Sequence, residues 1–143
     1  MIIQTRDFGE VTIEEQDIVT FIHPILGFED LTKYVFLFNQ SICSHFVWLQ
    51  SVEHKDICFI LADSSVVLQE YMPILPRQGL LELGDGENIV WLIVVVDEDF
   101  SKSTVNLKSP IVLNSAQRRA MQVVLDQNYP IKYPLVQKEK GEI

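Results

Sequence analysis

The 143 residues, 48% of them hydrophobic with a mean hydropathy of +0.16, can bury one sizeable core, and neither two ordinary domains nor extended disorder fits them. Twenty acids against eleven bases leave a formal charge of −9, which opposes binding to phosphate backbones over most of the surface. The charge is uneven: residues 1–100 carry 17 acids and 4 bases, whereas residues 101–143 carry 3 acids and 7 bases.

Residues 2–5 alternate apolar and polar as an opening strand, Gly9 turns the chain, and Val11 and Ile13 alternate with Thr12 and Glu14 in a second strand. An acidic turn over residues 14–17 and a third strand over 18–21 complete what reads as a β-meander. The segment HPILGFED, residues 23–30, is irregular because Pro24 and Gly27 interrupt regular structure. Its Phe28 either covers a barrel end or is presented to a partner.

Residues 34–38 form the next strand, and FVWLQS, residues 46–51, follows. Phe46, Trp48 and Gln50 share one face of FVWLQS and Val47 and Leu49 the other, so both faces are largely apolar and a central position is expected. Trp48 belongs to the core or, if exposed, forms a contact hot spot. A hairpin at His54, Lys55 and Asp56 leads to a strand over residues 57–62. Pro73 and Pro76 restrict residues 64–76 to an edge strand or loop. Residues 77–83 predict the one clear helix, stopped by Gly84.

Residues 88–96 read as the most buried strand and end in the acidic turn Asp97, Glu98, Asp99. Three apolar runs follow: Thr104, Val105 and Leu107 before Pro110; residues 111–113 before the turn formers Asn114, Ser115 and Gln117; and residues 121–125, closed by Asp126, Asn128 and Pro130. Residues 137–143 lack apolar periodicity and are expected to fray. The sum is a single mainly β domain over residues 1–136, a partly open antiparallel β-barrel or pseudo-barrel with at most one or two short helices. No stretch is long enough for repeated helical crossovers, which excludes parallel βαβ units.

The first residues lack the basic, apolar and cleavage-site succession of a secretory signal, and no apolar run approaches the ~20 residues that span a bilayer. A cytoplasmic location without membrane contact is therefore expected, with Cys43 and Cys58 as reduced thiols. Cys43, His45, His54 and Cys58 do not have usual zinc spacing and read as packed cysteines and surface imidazoles. No Gly-x-Ser-x-Gly elbow occurs, and the carboxylate pairs at Glu14 and Glu15, Glu29 and Asp30, and Asp97 to Asp99 lie in turns, where adjacent acids are solvated. The Gly84–Gly86 segment lacks the lysine of a phosphate loop. Neither an enzyme nor a cofactor or metal site is expected. Arg118 and Arg119, with Lys102, Lys108 and Lys132, read as a local anchor for acidic side chains rather than an RNA site, because no aromatic platform is interleaved with them.

The order of motifs is more specific than any one of them. An FGE turn at residues 8–10, GFEDL at 27–31, FVWLQS at 46–51, TVNLKSPIVLN at 104–114, QVVLD at 122–126 and YPI at 129–131 together resemble the FliW flagellar assembly factors over essentially the whole chain. The sequence departs from that pattern at residues 23–26, where HPIL replaces a Pro-x-Gly-Ile/Leu-Pro-like segment. The resemblance implies a non-enzymatic regulator that binds flagellin and the RNA-binding translational repressor CsrA, without itself binding nucleic acid. Export of flagellin would free it to antagonise CsrA and so restore flagellin translation. The acids of residues 10–30 and 97–99, Asp97, Glu98 and Asp99 among them, are then expected to repel RNA phosphates from CsrA. Asn106, Lys108 and Asn114, in the most specific string, either contact a partner or satisfy loop backbone groups. Two other readings are a small ligand-binding or hydrolytic β-barrel and a generic chaperone-like module for an apolar helical segment.

Overall fold

The computed structural model describes residues 1–38 and 45–136, so the expected frayed tail and Cys43 lie outside the described residues. The chain opens with a hairpin of β1 (Ile2–Gln4) and β2 (Glu10–Thr12), a two-stranded antiparallel sheet of its own. Gly9 holds a φ of 66° in its turn, a left-handed value that costs glycine little. The Thr5 hydroxyl ties the turn by donating to the Gly9 carbonyl and accepting the Phe8 N–H. The expected meander is not formed, because β2 does not pair with β3 (Val19–His23). The acidic run between them coils into a 3-10 turn over Glu15–Asp17, where the Glu14 N–H donates to the Asp17 carboxylate at 2.8 Å and carries the chain away from the hairpin.

From β3 the chain runs antiparallel through β4 (Lys33–Leu37), β5 (Phe46–Ser51), β6 (Cys58–Asp63) and β7 (Asn88–Val95). Two short helices, α1 (Ser64–Val67) and α2 (Arg77–Leu83), lie between β6 and β7. The remaining strands are β8 (Thr104–Val105), β9 (Ile111–Asn114), β10 (Arg119–Gln122) and β11 (Tyr133–Pro134).

The first half of β7 pairs with β9, β9 with β10, and β10 with β3, which closes a barrel of seven strands. The β10–β3 seam is parallel and contains a bulge, although no crossover helix joins those strands. They meet because the ring closes between its first and last members. At the end of β7, Val94 and Val95 pair on the edge away from β6 with β8, which pairs in turn with β11 as a short flange. The expected mainly β, barrel-like single domain is the fold observed, with one parallel seam.

Alternation along the strands sorts the side chains into three apolar layers. Phe21, Tyr34, Val47, Leu49, Leu61 and Ile111 fill the barrel interior, where Phe28 closes one end edge-on to Phe59 at 5.1 Å. Ile3 and Ile13 of the hairpin region cover Val35 and Leu37 on the outer face of β4. The outer faces of β6, β7, β9 and β10 are covered by Tyr71, Leu83, Leu125 and their neighbours from the helical and C-terminal segments. FVWLQS holds the central position expected of it, between β4 and β6.

Three expectations need correction. Residues 64–67, read as edge strand or loop, are the helix α1, capped by the Asp63 carboxylate accepting the Ser65 N–H at 3.0 Å. The most buried strand is β9, every residue of which is buried, rather than β7, whose Ile89 and Val95 emerge at its two ends. The run 121–125 is strand only at its start: the ladder is Arg119–Gln122, and beyond it Val123 and Leu125 donate single N–H bonds to the Pro110 and Lys108 carbonyls.

The buried interior also sets an alkaline limit. Burial pushes the Cys58 thiol up from 9 to about 11 and the Tyr34 hydroxyl from 10 to about 12, the latter helped by the Glu53 charge, and it raises Tyr71 as well. Each group binds its proton more tightly folded than unfolded, so its contribution is fully present below the unfolded pKa and is lost as pH rises through the folded one. The urea midpoint should therefore be level between pH 7 and about 9 and fall from there toward pH 11. Cys58→Ala should remove the part of that fall between pH 9 and 11; an unchanged profile in that variant would contradict the assignment.

Candidate functional site

Strand register sorts the loops to the two ends of the barrel. The connections β3–β4, β5–β6 and β7–β8 lie at one end and carry Glu29, Asp30, Glu53, Asp56, Asp97, Glu98 and Asp99. Their only lysines are Lys55 and Lys102. Glu14, Glu15 and Asp17, which precede β3, lie at the opposite end, so the acids expected to act together are divided by the length of the barrel.

All described acids except Asp63 are exposed. Among the described residues the ion pairs are Arg6 with Asp7 at 2.8 Å and, when the imidazole is protonated, His23 with Glu82 at 3.7 Å. The remaining carboxylates project their field into solvent, several through rigid turns. Asp99 accepts the Ser101 N–H and hydroxyl at 3.1 and 2.6 Å, Asp97 accepts the Asp99 N–H at 3.0 Å, and the Ser103 hydroxyl accepts the Asp97 N–H at 2.9 Å. Glu53 accepts the Thr32 and Lys33 N–H groups at 2.8 and 3.0 Å, which fixes the β3–β4 loop beside its own. A fixed row of charges pays no further ordering entropy when a partner meets it.

The other candidate residues divide by burial. Asn114 is fully buried: its amide donates to the Leu83, Gly84 and Asp85 carbonyls at 3.3, 3.1 and 3.1 Å, and its oxygen accepts the Gln117 N–H at 3.1 Å. It therefore holds the end of α2 and offers no surface to a partner. Asn106 accepts the Ser109 N–H, and the Lys108 ammonium donates to the Gln127 carbonyl at 2.9 Å, so both brace the β8–β9 connection while remaining half-exposed. Phe28 belongs to the barrel end; Trp48 lies on the outer face of β5, half-buried, with Phe8 edge-on at 5.5 Å.

At the end opposite the acidic loops is an open hollow of about 520 Å³, lined by Phe36, Leu37, Ile89, Trp91 and Leu113. Its charged lining residues are Asp17 and Arg118. Thr12, Gln16 and Ser115 also line it, and the indole N–H of Trp91 is buried there without a hydrogen-bond partner among the described residues. Among the described residues no group of three His, Cys, Asp or Glu could hold a metal ion, and no helix is long and apolar enough to cross a membrane. Cys58 is buried beneath the Arg6 side chain, which donates to its carbonyl at 2.8 Å; neither His45 nor His54 joins it in a ligand set.

Residues 2–135 match the model of the FliW protein family. The chain is 39% identical to the flagellar assembly factor FliW of Lachnoclostridium phytofermentans, with 96% of this chain and 92% of that protein covered. It is 35% identical to the flagellar assembly factor FliW of Ruminiclostridium cellulolyticum over the full length of both. A crystal structure of the flagellar assembly factor FliW superposes with a TM-score of 0.89 at 30% identity, covering 97% of this chain and 99% of that one.

Proposed function

This chain belongs to the FliW family of flagellar assembly factors, a non-enzymatic family, and on that premise we propose that it is a cytoplasmic partner switch between flagellin and the RNA-binding translational regulator CsrA. While flagellin accumulates, it occupies this protein. Export removes flagellin, and the freed protein binds CsrA, releases the flagellin message and lets translation resume. The two complexes exclude one another, so export and synthesis are coupled by mass action.

The observation that carries the CsrA half of this reading is the acidic barrel end. An RNA-binding face is basic, and the carboxylates of Glu29, Asp30 and Asp97 to Asp99, without ion pairs among the described residues, are complementary to it. Docked beside such a face, they raise the free energy of an incoming phosphate without covering every base contact. The chemistry required is electrostatic and needs no covalent step.

Competition on immobilised CsrA tests the exclusivity. The protein should be retained by CsrA and eluted by a stoichiometric amount of flagellin. Retention unchanged by excess flagellin would show that the complexes coexist and would end the switch reading.

A further inference from the structure

The hairpin covers the outside of β4, with Ile18 packed against it, and the helical segments cover the outside of β10, β9 and β7, with Ile22 packed against them; between the two, Thr20 on the outside of β3 is exposed. An open groove of about 810 Å³ lies there, with Ile18, Thr20 and Ile22 along its floor. Val52 extends the apolar floor on one side.

Its charge is opposite to that of the chain. Lys33 and Arg119 are the cross-strand neighbours of Thr20 on either side, and Arg118 follows on the same wall. None of the three pairs with a carboxylate among the described residues, although described acids outnumber bases; Arg119 donates only to the Glu82 carbonyl at 3.2 Å. Glu15 is the one acid in the lining.

Arg118 adopts a φ of 55°, the one non-glycine residue with positive φ among those described. A residue with a Cβ is strained in that conformation, which glycine would avoid. The backbone does not explain the arginine: its N–H donates to Ser115 and its carbonyl accepts from Thr20, bonds that glycine would make equally well. The side chain is what the position retains.

Taking the flagellin half of the proposed function as its premise, we infer that this groove seats one amphipathic flagellin helix, its apolar stripe on Ile18 and Ile22 and its flanking carboxylates on Lys33, Arg118 and Arg119. The width fits one helix: two strand spacings put the Lys33 and Arg119 backbones about 10 Å apart, roughly the diameter of a helix with modest side chains. Both edges of β3 are paired at Thr20, so strand addition is not available at the centre of the groove. The net charge of −9 repels an acidic partner at long range, so selection acts at contact, through carboxylates positioned against these three cations. The site also explains exclusivity. The five residues of β3 span about 17 Å, the length of roughly eleven helical residues, and a longer helix projects beyond His23 toward the Glu29 and Asp30 loop.

Flagellin titrations into the wild type, Arg118→Gly and the Lys33→Glu/Arg119→Glu double variant, read by calorimetry, test this. Arg118→Gly should be at least as stable as the wild type in urea yet bind flagellin several-fold more weakly, which separates recognition from folding. The double variant should bind at least tenfold more weakly. Wild-type affinity in both variants overturns the groove while leaving the flagellin reading in place. A wild type that does not bind flagellin removes the premise and the groove together.

Discussion

Replacing Asn114 by aspartate should destabilise the protein at least as much as replacing it by alanine, by about 3 kcal/mol in either case. The two side chains of Asn and Asp have the same shape, so the comparison isolates hydrogen bonding from packing. Asn114 lies fully buried at the end of β9, and its one amide nitrogen serves three carbonyls, those of Leu83, Gly84 and Asp85. Alanine removes this donor from all three, and only the Asp85 carbonyl keeps another side-chain donor, the Gln117 amide at 3.2 Å. Aspartate places a negative charge against them while still accepting the Gln117 N–H. Gly84 and Gly86, at φ 93° and 125°, admit the tight loop around the side chain, and any Cβ at Gly86 would lie 3.1 Å from the Asn114 oxygen. The urea midpoint should fall with an unchanged m-value. An aspartate variant within 0.5 kcal/mol of wild type would show that the donated bonds contribute little.

The second large effect is electrostatic and local. Asp30, Asp97, Glu98 and Asp99 together changed to lysine should weaken displacement of RNA from CsrA at least tenfold at about 0.1 M salt. Glu10, Glu14, Glu15 and Asp17 changed to lysine alter the net charge by the same amount but sit on the hairpin and at the other end of the barrel. That second variant should displace RNA nearly as well as the wild type, since exposed charges beyond about 10 Å are screened at 0.1 M salt. All eight side chains are exposed, but Asp17, Asp97 and Asp99 also accept turn N–H bonds worth about 1 kcal/mol each, so urea midpoints of both variants are measured beside the RNA assay. Equal loss in the two would mean that net charge, rather than the placed acidic end, acts on RNA.

Much of this architecture is legible in the sequence because its local signals agree with its tertiary outcome. FVWLQS is apolar on both faces and takes a central place, and residues 77–83 form a helix stopped at Gly84, whose positive φ is the reason glycine stands there. The helix α1 is hidden because Val66 and Val67 favour strands, while the cue for it, an Asp-Ser pair able to cap, is short and common. Closure through a parallel β10–β3 seam joins residues about a hundred positions apart, and no local pattern encodes it.

The site is legible in composition but not in place. Acids are visible as a count, yet only register shows that Asp97 to Asp99 share an end with Glu29 and Asp30 and that Glu14 to Asp17 do not. Likewise, proximity in sequence groups Arg118 and Arg119 with Lys102, Lys108 and Lys132. Pairing across Thr20 joins them instead to Lys33, and Lys108 turns inward to the Gln127 carbonyl. Asn114, which the most specific sequence string marks for attention, is a buried brace.

The most direct test of the partner switch is fluorescence anisotropy on a preformed complex of CsrA with a labelled flagellin-leader RNA. This protein is titrated in first, and flagellin is added afterwards. The switch predicts that anisotropy falls as RNA is released and rises again as flagellin withdraws the protein from CsrA. RNA that stays bound throughout, while flagellin still binds this protein separately, would contradict the switch and leave a flagellin chaperone.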